Sequence, residues 1–248
     1  MNIIFYIVNG LVIPPAMFFA GNFYKFKGEE IKFRGLWISM SLLFLTAIVT
    51  SLQFIFPETI TALDRNRQAL LSGEVWRLIT PLFIQPMGIW QCVFNGLFFI
   101  SFVPIAERLY GRSVLLIYFA TGIVGQIVNF YWETTPGGLS AGKGGSSTAL
   151  FGVAGSLLMY ILFNQKTFPK GYIVIPVAGL LGASVLVFYE DGHAPALLFG
   201  AMLGLLLRRN TRQITPYPQV KHRTYIQVNG TATNTYKSFA FFCLFLFW

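Results

Sequence analysis

The sequence predicts an all-α fold: a polytopic bundle of membrane helices, with six spans and a structured loop after the first. Three observations carry this. Hydrophobic residues make up 55% of the 248 and charged residues only 11%, where a soluble domain carries about 25% charged residues. Mean hydropathy is +0.62. The apolar residues come in runs close to the ~20 that an α-helix needs to cross a bilayer. A chain inside a bilayer must satisfy its own backbone hydrogen bonds, and runs of this length do so as helices. The excess of basic residues, 18 against 9 acidic, is read as cytoplasmic loop charge rather than as a nucleic-acid surface. Cys92 and Cys243 both lie in apolar runs. They are read as small apolar fillers, with no disulfide framework and no metal site. No internal repeat is visible, which counts against a transporter built from two halves.

Three parts are expected: residues 1–35, 36–209 and 210–248. Residues 1–24 are apolar but hold Asn9, the pair Pro14-Pro15 and Asn22. A Pro-Pro pair breaks a helix unless neighbours re-satisfy the freed backbone, so this stretch is read as interfacial, with an extra kinked span as the alternative. It lacks the basic start and small-residue cleavage site of a signal peptide. Lys25, Lys27, Lys32 and Arg34 close this first part as a basic stretch. The spans follow at 36–56, 87–105, 113–131, 146–162, 171–188 and 193–207. Between the first two lies a loop, 57–86, that carries Asp64, Arg65, Arg67, Glu74, Trp76 and Arg77 among apolar pieces; a connection this long is seldom structureless. The second span contains Gln91 and Asn95, the third Gln126 and Asn129. Glu107-Arg108 and Arg112 are read as turning the chain after the second span. After Arg208 and Arg209 comes a polar tail with a short apolar end, 239–248, too short to cross a bilayer as a helix.

Charge sets the orientation. With the N-terminal side of the core in the cytoplasm, Arg108, Arg112, Lys166, Lys170 and the basic residues after the sixth span all fall on that side. The other face receives Arg65, Arg67, Arg77 and Lys143 beside acidic residues that include Asp64, Glu74, Glu133, Glu190 and Asp191, in keeping with the positive-inside rule. A multi-pass protein of a prokaryotic cell membrane is expected. The starts of the fourth and sixth spans then share the outer face.

Those two starts hold the chemistry. Gly142-Lys143-Gly144-Gly145-Ser146-Ser147-Thr148 runs straight into the fourth span. A helix N-terminus presents unpaired N–H groups and partial positive charge, and glycines let backbone N–H groups approach a reacting carbonyl. This suits a serine nucleophile beside an oxyanion site; the plainer reading is that Ser146 caps the helix. His193 opens the sixth span. An ionisable side chain at a span is by default a functional-site hypothesis, and a histidine beside a serine can take its hydroxyl proton. The plainer reading is a histidine bonded to a backbone carbonyl. His222 lies in the basic tail and is read as a solvated charge. Ala196, Gly200 and Gly204, at intervals of four, form a flat stripe for close helix packing, with Gly152 and Gly155 offering a facing surface. Such packing brings His193 over Ser147. Gln91 and Asn95, also four apart, share a helix face, where their amides are candidate oxyanion donors or ordinary interhelical bonds.

Two rival motifs carry less. Gly137 to Lys143 has phosphate-loop spacing, but Gly144 stands where Ser or Thr should hold magnesium, and no strand precedes it. No nucleotide, nucleic acid or cofactor is expected. Asp191, two residues before His193, is a candidate for orienting the imidazole; its place in a tight loop leaves that the minor reading.

Taken in order, Glu74-Val75-Trp76-Arg77-Leu78-Ile79-Thr80-Pro81, Asn95, Glu107-Arg108-Leu109-Tyr110-Gly111, Gly145-Ser146-Ser147 through Phe151-Gly152, and His193 with Gly200 and Gly204 resemble the rhomboid family of intramembrane serine proteases. The resemblance covers about residues 36–209. It implies Ser147, rather than Ser146, as nucleophile, since the Phe-Gly pair falls four and five residues after it, and it implies that Phe151 packs against the His193 ring. It makes Trp76, Arg77, Gly200 and Gly204 supporting residues. The oxyanion site falls to Asn95, Gln91 and the backbone around Gly145. Three departures stand out: Gln91 where the family usually has histidine, Thr148 for the glycine after the serine, which is expected to narrow the cavity, and Ala196 for the first small glycine of the sixth span. The implied activity is cleavage of peptide bonds in or near the membrane helices of protein substrates within the lipid bilayer. The alternatives are an inactive relative that binds membrane proteins without cutting them, and a small channel or transporter.

Overall fold

The structure, a computed structural model, describes residues 35–132, 143–168 and 170–211. The expectations for the N-terminal segment, for most of the glycine-rich loop with its phosphate-loop spacing, and for the tail from 212 onward lie outside the described residues. Eight α-helices are described: α1 (Trp37–Ile55), α2 (Glu58–Leu63), α3 (Arg67–Leu71), α4 (Ile89–Tyr110), α5 (Ser113–Trp132), α6 (Ser147–Phe163), α7 (Val174–Phe188) and α8 (Ala194–Leu207). Among the described residues all regular structure is helical.

Among the described residues four stretches are long and apolar enough to cross a membrane: Trp37–Ile55, Ile89–Tyr110, Ser113–Trp132 and Gly171–Phe188. The apolar helices α6 and α8 are shorter, with 17 and 14 residues. At 1.5 Å per residue they measure roughly 26 and 21 Å, less than the ~30 Å hydrocarbon core. A helix shorter than the core can reach one surface with its end while a residue at its start sits below the other.

Helix α1 is inside-out by the standard of a soluble protein. Its buried residues are Ser39, Leu42, Thr46, Thr50 and Gln53, a mostly polar stripe at helical spacing. Its exposed face holds Trp37, Phe44, Leu45, Ile48, Phe54 and Ile55. In water the polar stripe would face outward; here the polar groups find partners inside the bundle and the apolar face is left for lipid. Gln53 donates to the Gln85 carbonyl and accepts from the Gln85 N–H, both at 2.7 Å. The Glu107 carboxylate receives the N–H groups of Ile38 (3.1 Å) and Ser39 (2.7 Å) and the Ser39 hydroxyl. That satisfies orphan donors at the start of α1 with a charge of the favourable sign.

Glu107 also corrects the sequence reading of α4. The second span was expected to end at 105, with Glu107-Arg108 in the turn. Instead α4 continues through Pro104 to Tyr110 and stops at Gly111, whose φ of 57° suits a residue without a Cβ. The acidic residue does not mark a surface turn; it is buried and ties α4 to α1.

Helix α6 is the centre of the bundle. Every residue from Thr148 to Leu157 is buried, and α6 packs most extensively on α8, then on α5, α4 and α7. Glycines set how close α8 comes. A Cβ on Gly200 would meet the carbonyl of Gly152, one on Gly155 the carbonyl of Leu197, and one on Gly204 would lie 2.8 Å from the Ser156 carbonyl oxygen. The stripe read from the sequence thus makes backbone-to-backbone contact. The loop 57–86 is structured, as expected. It holds α2, α3 and single 3₁₀ turns at Val75–Leu78 and Thr80–Leu82. Arg77 rivets it: the buried guanidinium donates to the Thr61 carbonyl (3.1 Å), to the Asp64 carbonyl and carboxylate (both 2.8 Å) and to Glu74 (2.7 Å).

Candidate active site

The starts of α6 and α8 lie at the same end of the bundle, and the glycine contacts between the two helices bring them together there. The Ser147 hydroxyl oxygen is 2.9 Å from Nε2 of His193. Ser146 points elsewhere: its buried hydroxyl accepts from the Gln85 side-chain amide at 3.2 Å. The His193 ring rests on Phe151, with centroids 4.7 Å apart, and Phe151 in turn stacks on Phe98 at 5.3 Å. On the ring's other nitrogen, Nδ1 is 3.0 Å from the Asp191 carboxylate.

The backbone before Ser147 is pinned from the loop. The Gly145 N–H donates to the Pro81 carbonyl at 2.7 Å, and Arg65 N–H donates to the Lys143 carbonyl at 2.6 Å. Gly145 has φ 143°, a conformation that favours glycine. A Cβ there would also meet the Gln91 amide nitrogen and come within 3.4 Å of the Ser147 hydroxyl. Glycine at 145 thus suits the backbone conformation, and a Cβ there would displace the Gln91 amide.

The two amides expected to converge on an oxyanion are engaged differently. Gln91 donates to the Gly144 carbonyl at 3.0 Å and accepts from the Met87 N–H at 2.9 Å, so it clasps the glycine strand to the start of α4. Asn95 donates to the Gln85 side-chain carbonyl at 2.7 Å. A primary amide has two N–H donors, and each side chain retains a second beyond these bonds. Gln85 is the residue that sequence reasoning missed. It is fully buried and links α1, Asn95 and Ser146. The available signal was a lone glutamine closing the apolar run Leu82-Phe83-Ile84.

Other expected residues sit as follows. Trp76 is exposed, while Arg77 is buried in the loop network described above. The Thr148 methyl packs toward Gly125 of α5, where a Cβ would collide with it. Thr148 therefore fills an interhelix gap, contrary to the expected narrowing of a cavity. Ala196 is fully buried and faces the same glycine. Among the described residues no group of three His, Cys, Asp or Glu side chains is arranged to hold a metal ion.

Comparison with known proteins gives this arrangement a family. Residues 72–210 match the rhomboid domain. The chain is 33% identical over 191 residues to the rhomboid protease GluP of Bacillus subtilis, an alignment that takes in 73% of this chain and 36% of that protein. It is 32% identical over 138 residues to YdcA of the same bacterium, covering 55% of this chain and 67% of that one. Against the rhomboid-like protease 2 of Toxoplasma gondii it is 31% identical over 165 residues, 62% of this chain and 56% of that one. The chain thus spans about a third of the length of GluP, two thirds of YdcA and somewhat over half of the Toxoplasma protein. The matched region contains the first-loop 3₁₀ turns, Gln91, Asn95, Ser147 and His193, and the chain belongs to the rhomboid family of integral, multi-pass membrane proteins.

Proposed function

We propose that the chain is an intramembrane serine endopeptidase that cuts membrane-protein substrates in or next to their transmembrane helices. The observation that carries this reading is the 2.9 Å contact between the Ser147 hydroxyl and Nε2 of His193, in a chain of the rhomboid family. That distance is within hydrogen-bond reach for a nucleophile and its general base.

In this reading His193 Nε2 accepts the Ser147 proton as the serine oxygen bonds the scissile carbonyl carbon. The tetrahedral oxyanion is met by the Ser147 N–H, which as a first-turn amide has no partner within its helix, and by the second N–H groups of Gln91 and Asn95. His193 then returns the proton to the leaving amine, and water repeats the cycle on the acyl-enzyme. A helical substrate must unwind before its carbonyl is reachable, so helix-weakening residues near the cut favour cleavage. With the N-terminal side of the core in the cytoplasm, the serine opens toward the outer face, from which water reaches it.

The test is cleavage of a single-span model substrate by purified protein in lipid vesicles. Wild type cuts, Ser147→Ala does not, and Ser146→Ala retains much of the activity. Cleavage that survives Ser147→Ala, or that is lost with Ser146→Ala alone, overturns the assignment.

A further inference from the structure

A buried carboxylate stands behind the histidine, where a two-residue mechanism has no use for it. Asp191 is 4% exposed. Its Oδ1 lies 2.9 Å from the His193 backbone N–H and 3.0 Å from ring Nδ1, while Nε2 faces Ser147 on the far side of the ring. We propose that Asp191 is a positioning residue, holding His193 with its proton on Nδ1 and stabilising the imidazolium that forms when Ser147 attacks. The proposal rests on the protease reading above.

The chemistry follows from what each group can donate. An ionised carboxylate only accepts hydrogen bonds, so the Nδ1 that faces it carries the hydrogen, and Nε2 presents a lone pair to Ser147. As the serine oxygen bonds the substrate carbonyl carbon, its proton passes to Nε2 and the ring becomes cationic beside a fixed anion. The same proton later leaves with the amine. Asp191 stays ionised throughout. Burial pushes the Asp191 carboxyl up, but the facing ring and the N–H groups of His193 and Ala194 outweigh it and hold the carboxyl below the usual range.

The simpler role is a cap. Oδ1 accepting an N–H two residues on is a common local motif at helix starts. That accounts for the contact with the His193 N–H. It does not account for the ring contact, nor for burying a charge, since asparagine or serine would cap as well without one. The carboxylate is also held firmly. The Asp191 N–H donates to the Leu186 carbonyl at 3.1 Å. Asn129 of α5 donates to the Gly192 carbonyl at 3.1 Å, and any Cβ on Gly192 would strike the Asn129 amide. Phe151 backs the ring from α6.

The difference between cap and relay supplies the experiment. Asp191→Asn and Asp191→Ser keep a capping oxygen and remove the charge. Both are compared with wild type for kcat and KM of substrate cleavage, for thermal unfolding, and for the histidine tautomer by nitrogen-15 NMR. The chain has two histidines, so a His222→Ala background leaves one signal. Loss of a triad aspartate lowers kcat by on the order of 10⁴-fold. Here kcat is expected to fall at least a hundredfold with KM and unfolding temperature little changed, and the wild-type ring is expected to carry its hydrogen on Nδ1. A wild-type ring protonated on Nε2, or capping variants within threefold of wild-type kcat, overturns the proposal while leaving the protease reading intact. A wild-type protein with the Nδ1 tautomer that never cleaves the substrate overturns the protease reading instead, and leaves Asp191 holding a histidine that has no reaction to serve.

Discussion

Replacing Gly200 with alanine tests whether the α6–α8 contact is what holds the site together. The new methyl would land on the Gly152 carbonyl, with the Gly152 carbonyl carbon 2.6 Å and Cα 2.8 Å away. Unstrained carbon–oxygen contacts lie at about 3.3–3.6 Å, and backbone atoms cannot turn aside as a flexible side chain can. The helices must therefore separate by on the order of 1 Å. Overpacking of this kind costs about 1–3 kcal/mol. The site feels the same shift: His193 precedes Gly200 by about two helical turns, and a 1 Å retreat would stretch the 2.9 Å serine–histidine contact beyond hydrogen-bond reach. Misplacement by ~1 Å costs on the order of 10²-fold in rate. Gly204→Ala, whose methyl would lie 2.8 Å from the Ser156 carbonyl oxygen, needs a smaller shift and should fall between Gly200→Ala and wild type. Gly182→Ala on α7 meets nothing within 4 Å and should be neutral or slightly stabilising, since alanine favours the helix. The assay pairs thermal unfolding in detergent with kcat in vesicles. Wild-type unfolding and turnover in Gly200→Ala would refute the argument that this contact sets the geometry.

If Gln91 and Asn95 both donate to the oxyanion as proposed, Gln91→Ala and Asn95→Ala should each lower turnover with little change in KM, and the double variant more than either, because losing one oxyanion donor costs about 2.7–4 kcal/mol; Gln91→His should retain or raise activity, and unchanged turnover in Gln91→Ala would confine that residue to clasping Gly144. Glu107→Gln removes the charge that caps α1 and leaves one N–H or hydroxyl of its three donors facing an amide, so unfolding stability should drop by roughly 1–3 kcal/mol with the site geometry kept. For orientation, cysteines introduced beside Glu190 should react with an impermeant reagent added outside, and cysteines near Arg108 only after the membrane is opened; outside labelling at Arg108 would invert the topology.

The helices were legible because apolar runs of membrane length leave a chain few options. The approach of α6 to α8 was legible because glycines at intervals of four mark a face without side chains. What misled was the reading of polar residues as boundaries. Glu107 looked like a turn signal, yet it is buried by its bonds to the start of α1. Gln91 and Asn95 were correctly put on one face. Their partners, Gly144 and Gln85, come from a glycine strand and a loop that only the tertiary fold brings near, so no spacing in the sequence announced them. The tight loop that counted against Asp191 is the feature that fixes its carboxylate under the ring, through Leu186, Asn129 and Gly192. Thr148 was judged by size alone, and the gap at Gly125 that receives its methyl could not be read from residues 23 positions away.

The central claim is that Ser147, activated by His193, is a nucleophile. A fluorophosphonate probe bonds covalently only to an activated serine, and mass spectrometry of the labelled protein reports which one. Label is expected on Ser147 in wild type and not on Ser146, and labelling should be lost in His193→Ala. Label on Ser146, or labelling of Ser147 that persists without His193, would contradict the claim.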